Sequence, residues 1–203
     1  MSPRKQNSVD LVIPVYNEAG VLARTHARLR AAVDALPYDF TFIYVDDGSS
    51  DGSDAELAAL AKSDGRVRVI SLSRNFGHQA ALTAGLDASR GDAVVSLDAD
   101  GQHPPEMIAQ MLELTAQGYD VVQAQRASYA QAGRFKKWTS DWFYRLLNFI
   151  SGTRVLPGAA DFRALSRRAV EALKAMPEYH RFLRGMVSWI GFKSAILPYH
   201  QEE

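Results

Sequence analysis

The chain has 203 residues, 47% of them hydrophobic and 23% charged, enough apolar material for one sizeable core and no reason to divide it. The absence of cysteine excludes a disulfide framework and a thiolate zinc site, and the polar first seven residues and lack of any 18-residue apolar run argue against a signal sequence or membrane span. A formal net charge of zero hides two opposite halves: residues 1–125 carry 10 Lys and Arg against 17 Asp and Glu, and residues 126–203 carry 13 against 6.

Short β-branched runs at 9–15, 40–45, 67–72, 93–97 and 121–125 predict strands. The intervals 19–36, 53–63, 78–89 and 104–117 have helical length and spacing, and Pro104-Pro105 suits a helix start because the first turn has no N–H bond to lose. The resulting βαβαβαβαβ string predicts an α/β fold, a mostly parallel Rossmann-like sheet with helices on both faces, and ligands in the crevice beyond the carboxyl ends of the strands. After residue 126 the pattern becomes basic and aromatic, with helices expected over 134–150, 167–176 and 181–190 and a last strand near 195–199. No linker, repeat or low-complexity tract is visible.

Polar clusters follow the first four strands: Asn17-Glu18, Asp46-Asp47-Gly48-Ser49, Arg74-Asn75-Phe76-Gly77-His78 and Asp98-Ala99-Asp100-Gly101-Gln102. Residues two apart on an extended chain point the same way, so Asp98 and Asp100 can hold a hard divalent cation, Mg2+ or Mn2+, with a diphosphate on its other side. Two acids in a loop also make an ordinary turn or cap. The stretch DDGSSDGS at 46–53 does not fit a calcium loop, because counting from Asp47 puts Ala58 where the bidentate Glu belongs. A carboxylate after the second strand is better placed for a ribose hydroxyl or base N–H, while Asp51 or Ser53 caps the next helix. Tyr16 can stack on a base and Glu18 hydrogen-bond it, or both can be a core edge and a helix-start charge. The sequence has neither GxxxxGK[ST] nor GxGxxG, which removes support for P-loop enzymes and ordinary dinucleotide oxidoreductases.

The ordered set IPVYNE (13–18), VDDGSSDGS (45–53), RNFGHQAAL (74–82), LDADGQHPPE (97–106) and ADFRALSRR (160–168) resembles family 2 glycosyltransferases, and more narrowly the branch containing dolichol-phosphate mannose synthases and bactoprenol glucosyltransferases. The resemblance covers nearly the whole chain. It implies a GT-A fold, a UDP- or GDP-sugar donor, a divalent cation, and a polyprenyl phosphate acceptor at the cytoplasmic face of a membrane, with no nucleic acid partner. Residues 1–203 then form a single catalytic domain, with a nucleotide-sugar half at about 1–125 and an acceptor half at about 126–203. Carried over, Pro14, Tyr16, Glu18, Asp46 and Asp47 contact the donor, and Asp98, Ala99, Asp100 and Gln102 the metal and diphosphate. Arg126, Arg134 and Arg163 become anion contacts, and Lys137 is a further basic candidate for the acceptor phosphate. Gly101 stands where many relatives have a larger apolar residue, implying a more mobile metal loop. Members of this branch usually continue into an amphipathic or transmembrane segment, so a longer native protein is expected.

Inverting transfer needs a nucleophile behind the anomeric carbon and a stabilised diphosphate in front of it. A sugar hydroxyl needs a carboxylate base, whereas a phosphate monoester with a second pKa near ~6 is already anionic. Asp161, beside Arg163, is the candidate base or arginine orienter, and an ordinary helix-anchoring pair is the plain alternative. In residues 134–150, Phe135, Trp138, Trp142, Leu146 and Phe149 recur at helical spacing beside Arg134, Lys136 and Lys137, which suits either a membrane interface or a core face. Two rival functions stay open: a soluble family 2 enzyme acting on a saccharide or protein hydroxyl, and a non-catalytic nucleotide-sugar binding module.

Overall fold

The computed structural model describes residues 8–126, 159–178 and 181–199. Its strands are β1 (Ser8–Val15), β2 (Asp39–Asp46), β3 (Val67–Ser71), β4 (Ala93–Ser96), β5 (Val121–Arg126), β6 (Ala159–Ser166) and β7 (Ser194–Tyr199). Among the described residues the helices are α1 (Leu22–Val33), α2 (Ser53–Ser63), α3 (His78–Ala88), α4 (Met107–Ala116), α5 (Arg167–Lys174) and α6 (Leu183–Trp189). One sheet runs β3-β2-β1-β4-β6-β5-β7.

Alternating side chains divide the core. Val9, Leu11, Ile13 and Val15 of β1 join Phe42 and Tyr44 of β2 on one face, packed by Leu22 and Leu29 of α1 and Ile108 and Met111 of α4. Val12, Ile43, Val45 and Val94 face the other way, against Ala81 and Leu82 of α3, Val170 of α5 and Met186 of α6. α1 presents an i, i+3, i+4 stripe of Leu22, Thr25, His26 and Leu29 to the core.

The strands and helices expected before residue 126 all form, but α1 and α4 begin three residues late. Residues 17–20 are tied to another loop, as described below. Pro104 and Pro105 form a preceding turn, their carbonyls accepting from the N–H groups of Met107 and Ile108. The expected helix at 134–150 lies outside the described residues.

The sheet departs from expectation at β6, for which the sequence pattern gave no strand. It inserts antiparallel between β4 and β5, pairing Ser96 with Arg163 and Val122 with Ala164. Asp161 and Arg163 break the apolar run that usually marks a central strand. Because β6 runs backwards, its start lies at the carboxyl ends of the parallel strands. The Ser96–Arg163 register brings Asp161 level with position 98, and Ser96 Oγ donates to the Asp161 carbonyl at 2.6 Å. No helix among the described residues is long and apolar enough to cross a membrane.

Candidate functional site

The loop after β1 is held by the loop after β2. Backbone N–H groups of Asn17, Glu18, Ala19 and Gly20 donate in succession to Ser49 Oγ, Ser53 Oγ, Asp51 Oδ2 and Glu56 Oε1 at 2.6–3.0 Å. Ser50 N–H returns a bond to Asn17 Oδ1. The DDGSSDGS segment is therefore largely a backbone staple. Asp46 takes part in the same way: it is buried, and its Oδ1 accepts from Ser49 N–H at 3.0 Å.

Asp47 is buried too, and accepts from two consecutive backbone groups, Phe76 N–H at 2.8 Å and Gly77 N–H at 2.9 Å. It fixes the loop after β3 against the end of β2. That loop, the end of β1 and the turn after β4 enclose a cavity of about 290 Å3. Pro14, Tyr16, Glu18, Asp47, Asp98, Ala99 and Asp100, predicted from three separate stretches of sequence, all line it.

The Asp98–Asp100 segment is not extended as expected. β4 ends at Ser96, and Ala99 and Asp100 form a turn. Both carboxylates still border the cavity because α1 anchors the turn: Thr25 Oγ1 donates to the Ala99 carbonyl and Arg28 Nη1 to the Gly101 carbonyl. Asp100 Oδ1 accepts from Gln102 N–H. Gly101 takes φ +74°, a conformation that penalises any side chain, so glycine serves the turn's geometry. These bonds hold the loop that the sequence comparison suggested would be mobile.

Negative charge accumulates here. Burial raises the Glu18 pKa, and Asp100, Asp51 and Asp98 raise it further. Burial also raises that of Asp98, opposed by the nearby His103 and His78. Asp98 Oδ1 is buried without a hydrogen-bond partner. His103, stacked on Phe162, accepts from Asp98 N–H through Nδ1, which leaves the neutral ring's proton on Nε2, 3.7 Å from Asp98 Oδ2. An orphaned carboxylate oxygen beside a second carboxylate fits a divalent cation. Among the described residues no three acidic or histidine side chains gather into a metal cage, so such a cation needs further oxygens from diphosphate or water.

Next to this cavity lies a charge cluster around Asp161, which is 2% exposed. Its carboxylate faces Arg163 Nη2 at 2.5 Å, Arg184 Nε and Nη2 at 3.2 and 2.9 Å, and His78 Nε2 at 3.2 Å. Burial alone would raise the Asp161 pKa, but bonds from His78 and Arg184 and the charges of Arg163 and Arg184 hold it well below the usual carboxylate range. The His78 pKa is raised, chiefly by that bond. His78 Nε2 also lies 3.5 Å from Asp98 Oδ1, joining the two clusters.

Exposure separates the two arginines. The Arg163 side chain is 4% exposed, so it braces Asp161 from within, whereas that of Arg184 is 42% exposed. Arg163 was expected to contact phosphate; its guanidinium is buried against Asp161. His78, His103 and Arg184 received no role from sequence; the first two stood inside quoted motifs, and Arg184 had no local signal beyond its basic neighbourhood. Gln102 turns toward Arg126, whose Nη2 reaches Gln102 Oε1 at 3.4 Å and whose Nε donates to Tyr199 Oη, and it does not line the cavity. Arg134 and Lys137 lie outside the described residues.

Glycosyl transferase family 2 matches residues 10–174. The chain is 41% identical over 193 residues to the Bacillus subtilis glycosyltransferase YkcC, covering 95% of this chain and 60% of that protein. It is 38% identical over 195 residues to the bactoprenol glucosyl transferase of Shigella phage SfX, covering 96% and 64%. Among solved structures, the Pyrobaculum calidifontis mannosyltransferase PcManGT in complex with GDP-Man and Mn2+ superposes with TM-score 0.66 at 18% identity, covering 94% of this chain and 54% of that one. The Mycobacterium tuberculosis glucosyl-3-phosphoglycerate synthase in complex with Mn2+, UDP and glucosyl-3-phosphoglycerate gives 0.64 at 22%, covering 97% and 73%. The chain spans under two thirds of the curated relatives named here.

Proposed function

The chain belongs to glycosyltransferase family 2 and has its GT-A fold, and from this premise we propose that it transfers a hexosyl group from a UDP- or GDP-sugar to a polyprenyl phosphate at a membrane surface, with inversion and with a divalent cation. The observation that carries the acceptor class is the engagement of Asp161 by one histidine and two arginines. A hydroxyl acceptor needs a base, and a carboxylate held this far below its usual range is a poor one. A phosphate monoester is already anionic near pH 7 and needs a cation to position it. The bactoprenol glucosyl transferase relatives support the same acceptor. UDP is preferred over GDP because these relatives are named for glucosyl transfer.

In this reading Tyr16 and Glu18 bind the nucleoside, with Asp47 holding the loop that closes the cavity. Asp98 and Asp100 hold the cation, which when bound neutralises charge developing on the diphosphate leaving group. Arg184, oriented by Asp161, directs an acceptor phosphate oxygen at the anomeric carbon, and Arg163 stiffens Asp161 from below. Arg126 and Gln102 act together at the outer rim.

Calorimetric titration with UDP and GDP, each with and without Mn2+, tests the donor assignment. One nucleotide should bind at least tenfold more tightly with Mn2+, and Asp100→Asn should abolish the difference. No binding by a folded sample would overturn the donor site, and equal metal dependence in Asp100→Asn would overturn the metal assignment.

A further inference from the structure

A second cavity, about 670 Å3, lies on the opposite side of α3. Gly77, His78 and Ala81 border the first cavity, while Gln79, Ala80, Thr83 and Ala84 line the second. The start of α3 thus forms a partition. The volume lies within the range of small-molecule sites, and nothing in the donor and phosphate roles above uses it.

Its wall sets Phe76, Ala80, Ala84 and Phe182 among the polar Gln79 and Thr83, and carries charge at Asp87, Glu178 and Arg181. Phe76 and Phe182, each 50% exposed, flank it and are among the few large apolar side chains exposed in the described residues. Their placement is specific. Arg74 lies over the Phe76 ring at 4.2 Å, and a Cβ on Gly185 would meet Phe182 Cδ1 at 2.9 Å, so only glycine lets that ring lie against α6. At the other end Asp87 pairs with Arg181 at 3.6 Å, eight residues or about 12 Å along α3 from Gln79.

Gln79 connects this wall to the Asp161 cluster. Its Nε2 approaches Asp161 Oδ2 at 3.4 Å, and its Oε1 accepts from Leu183 N–H at 3.0 Å, beside Arg184. A ligand with an anionic head at Arg184 and an apolar body therefore has a continuous path past Gln79 to the two phenyl rings. We infer that this cavity receives the hydrocarbon next to the acceptor's phosphate, an inference that rests on the phosphate-acceptor reading above. The charged pair at the far end limits the groove to the first part of a long chain, and α3 keeps lipid and nucleotide on separate sides.

The test is calorimetric titration of the chain, with UDP and Mn2+ present, using farnesyl phosphate below its aggregation threshold and, separately, inorganic phosphate. Farnesyl phosphate should bind at least tenfold more tightly than inorganic phosphate. Ala84→Trp, which fills the cavity, should remove most of that excess and leave the affinities for inorganic phosphate and UDP within twofold; Phe182→Ser, at a half-exposed position, should act in the same direction. No excess in the unsubstituted chain, or an excess that survives both substitutions, would overturn the inference. UDP binding is read independently, so its absence counts against the donor reading, while the ratio of the two phosphate probes alone decides the cavity.

Discussion

Replacing Asp161 by Asn should destabilise the fold before any effect on chemistry is considered. The amide nearly preserves shape but removes the negative charge facing Arg163 at 2.5 Å, Arg184 at 2.9 Å and His78 at 3.2 Å. Removing one member of a buried ion pair costs about 3–5 kcal/mol, because the remaining charge stays desolvated. Arg163 meets that condition, while Arg184 and His78, each about two-fifths exposed, recover solvation, which points to the lower end. At roughly 2–4 °C per kcal/mol for a chain of this size, the melting temperature should fall by about 6–12 °C. Differential scanning calorimetry measures this directly. The paired substitution Asp161→Leu with Arg163→Met, an apolar replacement of both charges, should regain at least half of the loss. A single variant melting within 2 °C of the unsubstituted protein would refute the claim that buried charge organises this cluster. A double variant that loses more than the single one would show that packing, not charge, dominates.

Asp47→Asn keeps one acceptor but sets an amide N–H2 against a backbone N–H of Phe76 or Gly77, costing about 2–3 kcal/mol and loosening the wall of the first cavity. The urea midpoint should fall and UDP affinity should drop at least fivefold; unchanged values in both would show that the backbone bonds do not support the site. Acid stability should report on Asp64, whose pKa falls from 3.8 to about 2 chiefly through its bonds to Arg66. A carboxylate depressed in the folded state stabilises it above its unfolded pKa, so about 1–2 kcal/mol, discounted for the partly exposed arginines, should be lost as pH falls from about 4 to about 2. Unfolding free energies from urea titrations across that window should be flatter for Asp64→Asn. An unchanged slope would remove Asp64 as the source.

The sequence alone determined the local elements and the family. Strand alternation and helical stripes are properties of neighbouring residues, so β1 to β5 and α1 to α4 were readable, and Ser53–Ser63 forms α2 with the expected bounds. Polar residues just past each strand were likewise legible, because parallel strands deliver their ends to one edge. Partnership across the fold was not legible. Nothing local in residues 159–166 says that they form an antiparallel strand beside β4, and only that pairing brings Asp161 next to His78 and Asp98. Whether an acid faces ligand or backbone is also decided by what packs over it: Asp46 and Asp51 hold loops, Asp47 holds one while lining the cavity, and Asp98 retains an oxygen without a hydrogen bond. The same packing reverses the order of two arginines, burying Arg163, which the motif singled out, and leaving Arg184 on α6 at the surface of the site. Residue spacing carries the period of an element, but burial and charge pairing arise from contacts between distant segments, and those come into being only when the sheet is assembled.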